Sequence, residues 1–346
     1  MKLHPGQLLR RLSCAICVFC VSVNAFAFSA DQLAVVFNTA DPDSRELAGY
    51  YQQQRHIPQQ NMIAVELPAG ISQLDREQFA KIYSQVTQAT PADVQYYVLA
   101  WSQPYRVACM SVTSAFAFGF DEKYCASGCK ATAPSAYFNS DSATPYDDFK
   151  IRPAMLLAGS SLDQARAMID RGVQADHGQV KPGTNAAAYL VSTSDKARNV
   201  RAGIFPDVVA KLGDRLPIEI VQADAIENKP DVMFYFTGLI SVDRIESNTF
   251  VPGAIADHLT STGGNLLGGR QMSVLRWLDA GATASYGSVV EPCAFVQKFP
   301  NPGIVIERYT RGESLIEAYW KSVQWPGQGL FVGEPMAAPY AAVNNL

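Results

Sequence analysis

The chain has 346 residues, of which 48% are apolar and 17% are charged. Such a chain can bury a sizeable hydrophobic core, as one large domain or as two small ones packed together. Its net charge of −4 excludes a nucleic-acid binder that relies on a basic surface to neutralise phosphates.

The N-terminus has the pattern of a secretory signal peptide. Three basic residues, at positions 2, 10 and 11, flank the start of a short apolar run over residues 12–23, and Ala25 and Ala27 are the small residues of a cleavage site. The run is shorter than the ~20 residues that span a bilayer. We therefore expect cleavage after Ala27, no membrane span in the mature chain, and a secreted or periplasmic location.

Strand and helix patterns alternate after the signal peptide. The first half contains apolar runs typical of strands and amphipathic stretches typical of helices, in the order strand 33–37, helix 43–57, strand 62–67, helix 74–86 and strand 96–101. This alternation predicts an α/β fold with a parallel, doubly wound sheet.

Residues 107–151 interrupt the alternation. This long excursion contains three cysteines and the aromatic cluster Phe116, Phe118 and Phe120. Long segments of this kind are often functional, so the cluster is a candidate binding surface. The alternative is a cover over the sheet, pinned by a disulfide.

The alternation resumes in the second half. We predict strands at 155–157, 186–191, 218–221, 232–236 and 282–290, and helices at 161–173, 205–212, 255–259, 273–278 and 315–321. No change of composition marks a linker, so we expect two subdomains, 28–154 and 155–346, that share an interface.

Four cysteines remain after signal cleavage: Cys109, Cys125, Cys129 and Cys293. An even number in an oxidising compartment predicts two disulfides. We favour Cys125 with Cys129, which share one loop, and Cys109 with Cys293. The mature chain has no Cys-x-x-Cys and its histidines (His56, His177 and His258) are scattered, so no metal site is expected.

Ligands of open parallel sheets bind beyond the carboxyl ends of the strands. The predicted strands end at the segments 38–43, 101–105, 193–195, 237–241 and 288–293. From these segments we select the candidate binding residues Asp41, Trp101, Asp195, Gly238 and Glu291. The carboxylates among them also have ordinary alternatives, as a helix cap, a turn residue or the partner of an arginine.

Nucleophilic chemistry has one open candidate. Cys293 could act as a thiolate with His258 as its base, and Glu291 lies close in sequence. The alternative is that Cys293 forms a disulfide. The glycine-rich segment 263–269 does not match the dinucleotide-binding fingerprint, so no cofactor is expected.

Five segments together resemble an uncharacterised family of secreted bacterial proteins associated with the exosortase protein-sorting system. They are residues 35–44, 252–259, 280–284, 290–292 and 331–335. The resemblance covers nearly the whole mature chain. It implies a Gram-negative envelope setting but no established activity.

The chain is also distantly similar to the gingipain branch of caspase-like peptidases. In that branch a strand ends in Gly-His, the next strand ends at the catalytic cysteine, and a Gly-Asp-Pro follows late in the chain. Here Gly238-Leu239 stands at the first place, Thr260 or Ser261 at the second, and 333–335 reads Gly-Glu-Pro. The resemblance implies a caspase-like fold that has lost its catalytic dyad.

Three functions follow from these patterns. The first is a non-catalytic, caspase-like binding protein of the envelope, whose partner is a polypeptide or an envelope polysaccharide. The second is a peptidase-like hydrolase that uses relocated residues such as His258, Cys293 or Glu291. The third is a structural envelope protein.

Overall fold

The computed structural model describes residues 28–126, 129–176 and 186–341. The predicted signal peptide and His177 lie outside the described residues. The strands are β1 (Leu33–Asn38), β2 (Met62–Val65), β3 (Gln73–Leu74), β4 (Tyr96–Leu99), β5 (Arg106–Val107), β6 (Met110–Ser111), β7 (Ala154–Leu156), β8 (Ala187–Ser192), β9 (Ile218–Gln222), β10 (Val232–Thr237), β11 (Phe250–His258), β12 (Ala284–Ser288) and β13 (Gly329–Gly333). The helices are α1 (Pro42–Arg55), α2 (Arg76–Ala89), α3 (Val112–Phe118), α4 (Pro145–Phe149), α5 (Leu162–Ala175), α6 (Phe205–Leu212), α7 (Leu275–Asp279), α8 (Pro302–Thr310) and α9 (Leu315–Lys321).

Ten strands form one sheet in the order β2-β1-β4-β7-β13-β12-β11-β10-β8-β9. Neighbouring strands are parallel except for β12 and β13, which are antiparallel. Every residue of β4 and β10 is buried, as expected for central strands covered on both faces by helices. The predicted α/β fold with a mostly parallel sheet is confirmed.

The two halves of the chain share this sheet. The predicted boundary at 154/155 falls inside β7, which pairs with β4. The last strand, β13, then lies between β7 and β12 and joins the two halves. The sheet therefore runs without a break across the division expected from the sequence.

One predicted element is wrong. Residues 255–259, predicted as a helix, lie mostly in β11, which pairs with β10 on one side and β12 on the other. A short apolar run such as Ala254–Ala256 fits either a buried strand or a buried helix, so its periodicity does not decide between them. Pairing with two neighbouring strands decides it here.

The excursion over residues 107–151 covers the middle of the sheet. Its helix α3 packs against β7 and β13, and Phe116 is completely buried in the core. Phe118 and Phe120 pack against the same core. Phe116 is therefore a core residue that cannot contact a ligand, whereas Phe118 and Phe120 are half-buried at the edge of the core. Binding through these two residues stays a prediction.

The structure contains two disulfides, but their pairing differs from the favoured one. Cys109 pairs with Cys125, with Cα atoms 5.5 Å apart, and Cys129 pairs with Cys293, with Cα atoms 5.2 Å apart. The hairpin of β5 and β6 brings Cys109 to the end of the turn Glu122–Tyr124. This packing is not visible in the local loop composition from which the Cys125–Cys129 pair was predicted.

Within the part of the chain that the structure describes, no helix is both long and apolar enough to cross a bilayer.

Candidate functional site

The first candidate site lies where the chain reverses its direction of travel across the sheet. From β1 the chain passes through α1 to β2 on one side, and it later returns to β4 on the other side of β1. In open α/β sheets the crevice beyond the strand ends at such a switch point is the usual ligand site. Here a cleft of about 750 Å³ occupies that position.

We call this space the switch-point cleft. Its floor is formed by the segments that follow β1, β4 and β7, and its sides by the first turns of α1 and α5 and by the loop that leads into α7. The residues used below are Asn38, Asp41, Asp43, Leu47, Trp101, Ser102, Leu162, Leu266, Leu267 and Leu275.

Asn38 and Ser44 fix the floor of the cleft. The Asn38 side chain is nearly fully buried, and its Oδ1 accepts hydrogen bonds from Ala40 N at 3.1 Å and Leu67 N at 2.9 Å. The Ser44 hydroxyl accepts from Asn38 N at 2.8 Å and donates to Ala100 O at 2.5 Å. Ser44 therefore ties the ends of β1 and β4 together beneath the cleft.

Replacing Ser44 with Ala should lower the free energy of unfolding by about 1–3 kcal/mol, because the Asn38 N–H and the Ala100 carbonyl are then left buried without partners. Urea unfolding followed by circular dichroism measures the change. Ser160→Ala is the matched control, since it removes an exposed serine hydroxyl from the same cleft. Equal stabilities of the two variants would contradict the bridging role of Ser44.

Two of the predicted binding residues share this cleft. Asp41 is the N-cap of α1, and its Oδ1 accepts from Asp43 N at 3.0 Å. Trp101 also lines the cleft, but it is only 1% exposed and its indole N–H donates to Pro104 O at 2.9 Å. Trp101 is thus a wall residue and cannot stack on a ligand with its ring face.

The second candidate site lies at the carboxyl ends of β8, β10 and β11, which we call the β10–β11 edge. Arg198 is its central residue: its side chain makes an ion pair with Asp195 at 2.9 Å, and its Nε donates to Thr260 Oγ1 at 3.0 Å. The Thr260 hydroxyl in turn donates to Gln271 Oε1 at 2.9 Å. Asp195 therefore orients an arginine at this edge.

Gly238 belongs to the same edge. A Cβ atom at this position would lie 2.0 Å from Arg198 O, so a side chain here would displace the backbone that carries Arg198. The predicted binding residues Asp195 and Gly238 are thus brought together around Arg198, apart from the Asp41 and Trp101 pair in the switch-point cleft.

An ion pair lies beneath this edge. The Arg201 guanidinium is 2.5 Å from Asp257 Oδ1, and Tyr319 donates to Asp257 Oδ2 at 3.1 Å. Burial raises the pKa of the Asp257 carboxyl, and the neighbouring Arg201 opposes that rise. Because Asp257 directly precedes His258, the pair anchors the end of β11.

His258 is a fully buried structural residue. Trp277 Nε1 donates to its Nδ1 at 3.0 Å, and its Nε2 lies 3.1 Å from Met272 O. This network assigns the neutral ring with the proton on Nε2. Burial lowers the pKa of His258 to about 3. With both nitrogens engaged, His258 is not placed to act as the base of a nucleophile.

The buried His258 should make the protein less stable as the pH falls. Its pKa of about 3 in the folded state lies below its ordinary 6.5, so between these values the unfolded chain binds a proton that the folded chain does not. At pH 5 this difference in proton binding lowers the free energy of unfolding by about 2 kcal/mol. Between pH 7.5 and pH 5, the free energy of unfolding of the wild type should fall by about 2 kcal/mol more than that of His258→Gln. Urea unfolding at the two pH values measures this difference.

The control for this experiment is His56→Asn. His56 is exposed and adopts a left-handed conformation that Asn tolerates. This variant should keep the wild-type pH dependence. A His258→Gln protein with that same pH dependence would show that His258 is charged in the folded state.

The remaining candidates lie on the loop after β12. Cys293 is in a disulfide with Cys129, so it has no thiolate, and the prediction of Cys293 as a nucleophile is wrong. Glu291 is exposed, and its Oε1 accepts from Cys293 N at 2.7 Å. Glu291 therefore caps the disulfide loop and is brought neither to the cleft nor to His258 by any hydrogen bond of the described residues.

Three residues of these sites were not selected from the sequence: Asn38, Arg198 and Gln271. Asn38 lies in the strand-end segment 38–43, but its fixed orientation depends on Leu67, which is 29 positions away. Arg198 could have been found, because an arginine three residues after Asp195 at a strand end is spaced for an ion pair. No sequence pattern marks Gln271, since it reaches Thr260 only because the long loop after β11 folds back.

The sheet, its flanking helices and the strand order define a caspase-like α/β fold. The structure is similar to that of the Arg-specific cysteine proteinase gingipain R, with a TM-score of 0.53 and 9% sequence identity over 89% of this chain and 78% of that chain. The complex of Porphyromonas gingivalis RgpB pro- and mature domains gives a TM-score of 0.49 at 10% identity, over 89% of this chain and 79% of that chain. The predicted gingipain-like fold is confirmed.

The sequence comparisons add no family. No family model matches the chain, and no curated protein matches it. The resemblance to the exosortase-associated family stays a prediction.

Proposed function

We propose that this chain is a secreted, non-catalytic protein with a gingipain-like fold that binds a polypeptide at the β10–β11 edge of its sheet. The observation that carries the proposal is the environment of Thr260, one of the two residues, with Ser261, that stand near the place the peptidase resemblance gives to the nucleophile. The envelope setting and export by cleavage after Ala27 rest on the sequence patterns and belong to the same proposal.

Thr260 lacks a base. Its hydroxyl donates to the neutral amide oxygen of Gln271 and accepts from the guanidinium of Arg198. Neither partner can take a proton at neutral pH, because an amide oxygen is a very weak base and a guanidinium is already protonated. An alcohol without a base is a poor nucleophile.

The position that the resemblance gives to the base supports the same conclusion. Leu239 stands there, and an alkyl side chain cannot accept a proton. The imidazole of His258 is engaged with Trp277 and the Met272 carbonyl. The four cysteines of the described residues are all in disulfides.

A polypeptide is the partner that the fold favours. Gingipain R, whose fold this chain resembles, is an Arg-specific cysteine proteinase and therefore acts on polypeptide chains. Two exposed aliphatic side chains lie in the segments that follow β10 and β11: Ile240, whose carbonyl accepts from Met272 N, and Leu267, which lines the switch-point cleft. Exposed aliphatic groups beside a polar cleft suit a peptide with apolar side chains.

Fluorescein-labelled casein provides the test, because one probe reports binding by anisotropy and cleavage by loss of self-quenching. We expect anisotropy to rise without any change in quenching. Leu267→Asp should weaken binding at least tenfold, whereas Ile220→Asp, which places the same charge on an exposed side chain of β9, should not. Absence of binding would overturn the proposal, and so would equal binding by the two variants.

A further inference from the structure

We infer that the polypeptide bound at the β10–β11 edge places one large apolar side chain in a cavity beside that edge. The inference rests on the proposed function, because it names the chemistry of the polypeptide that this edge takes. We call the cavity the valine groove, since the exposed side chains of Val200 and Val296 both line it. Its volume is about 250 Å³, smaller than the roughly 300 Å³ of the smallest pockets that enclose a whole small molecule, so it suits a single side chain.

The valine groove leaves apolar surface without cover. Val200 is 38% exposed and Val296 is 43% exposed, and they are two of only five large hydrophobic side chains that are exposed in the described ranges. The other apolar residues that line the groove include Phe138, Ile204 and Phe299. A single exposed valine is ordinary on a protein surface, but two at one apolar cavity indicate a place for an apolar group of a partner.

The valine groove is continuous with the β10–β11 edge. Arg198, the central residue of that edge, directly precedes the 3₁₀ helix Asn199–Ile204, whose Val200 and Arg201 line the groove. Because a 3₁₀ helix rises about 2 Å per residue, Val200 lies only about 4 Å beyond Arg198 along the helix axis. The Arg201 guanidinium also donates to Thr237 O, at the end of β10, at 2.5 Å. A polypeptide that passes Arg198 at the edge therefore reaches the groove within a few residues.

The group that enters the groove is uncharged. Among the described residues that line the groove, Arg201 is the only charged one. It is 3% exposed, and its guanidinium is 2.5 Å from the Asp257 carboxylate. An acidic side chain in the groove would find no free cation and a basic one no free anion, so either would lose its hydration without compensation.

Two primary amides favour a polypeptide over other apolar partners. Gln297 and Gln324 line the groove, and their backbone carbonyls accept from Trp325 N at 2.8 Å and Ser135 N at 2.9 Å, which fixes their main chain there. Both side chains are half-buried, so their amides remain in contact with solvent. Each amide can donate and accept, and thus pair with the N–H and C=O groups of a polypeptide backbone. A lipid chain would leave both amides without partners.

Two labelled peptides test the inference by anisotropy. One is acetyl-Gly-Gly-Leu-Gly-Gly-Lys(fluorescein)-amide, and the other has Asn in place of Leu, a polar side chain of nearly the same shape. We expect the Leu peptide to bind at least tenfold more tightly, because only its side chain gains free energy by leaving water for the groove.

A pair of protein variants places the binding in the groove. Val296→Asp puts a charge at the groove and should lower the affinity for the Leu peptide to that for the Asn peptide. Ile220→Asp is the matched control, since Ile220 is a similarly exposed side chain on β9, outside the groove, and it should keep the tenfold preference. Circular dichroism of both variants checks that they are folded.

The possible failures are distinguishable. If labelled casein binds but the Leu and Asn peptides bind equally, the inference is wrong and the proposed function stands. If Val296→Asp keeps the preference for the Leu peptide, the side chain is bound elsewhere and the inference is again wrong. Sedimentation that shows a wild-type dimer and a Val296→Asp monomer would identify a second copy of this chain as the occupant and overturn the inference. If neither casein nor either peptide binds, the proposed function fails as well.

Discussion

Replacing Glu334 with Gln is expected to destabilise the protein by about 3–5 kcal/mol, the usual cost of breaking a buried ion pair by removing one partner. Glu334 follows β13 and is completely buried. Its Oε1 accepts from Tyr51 Oη at 2.8 Å and Arg55 Nε at 3.0 Å, and its Oε2 lies 2.5 Å from Arg55 Nη2. The substitution leaves the 5% exposed Arg55 side chain with only Asp176 as a charged partner.

The close packing around Glu334 leaves the neighbouring groups no room to rearrange when the carboxylate is replaced. A Cβ atom at Gly172 of α5 would lie 2.4 Å from Glu334 Oε2, so the helix approaches the carboxylate as closely as glycine allows. Glu46→Gln is the matched control, since Glu46 of α1 also pairs with an arginine, Arg166 of α5, but half of its side chain is exposed. The Glu46→Gln variant should lose no more than about 1 kcal/mol of unfolding free energy. Urea unfolding that gives both variants the same stability would contradict the structural role of Glu334.

Removing the Cys129–Cys293 disulfide should have an effect of similar size. The bond joins residues 164 positions apart, and cross-links that close long loops restrict the unfolded chain most. The double variant Cys129→Ser with Cys293→Ser should lose about 5 kcal/mol of unfolding free energy. Guanidinium unfolding under non-reducing conditions measures this loss.

The other disulfide supplies the comparison. Cys109 and Cys125 are 16 positions apart, so Cys109→Ser with Cys125→Ser should lose about 3 kcal/mol. Peptide mapping of the unreduced protein tests the pairing itself. Recovery of a peptide that links Cys109 to Cys293 would contradict the structure.

The fold was predictable from the sequence wherever an element is long or strongly patterned. The helix predicted over 315–321 is α9 (Leu315–Lys321), because its Ser314 and Glu317 form a capping box. The buried run of β10 likewise identifies a central strand. The strand β11 was not predictable, because its short apolar run gains its conformation from hydrogen bonds to β10 and β12.

From the sequence, the candidate sites could be predicted only as separate positions along the chain and not as groups of residues in contact. The rule that ligands bind beyond strand ends selects Asp41, Asp195 and Gly238, and the structure places each of them just beyond the carboxyl end of a strand. Because β12 and β13 are antiparallel, Asp41 lies at the opposite edge of the sheet from Asp195 and Gly238. The rule does not show which residues act together: the cap made by Asp41 and the amide of Asn38 belong to the same turn, whereas Glu291 serves its own disulfide loop. These groupings depend on contacts between segments that are distant in sequence.

The central claim is that the β10–β11 edge binds a polypeptide and leaves it uncut. The most direct measurement is the intact mass of casein recovered from its complex after prolonged incubation with the protein. We predict that the casein is recovered at its original mass. Fragments that accumulate with time and with the amount of protein would contradict the account and identify the chain as a peptidase.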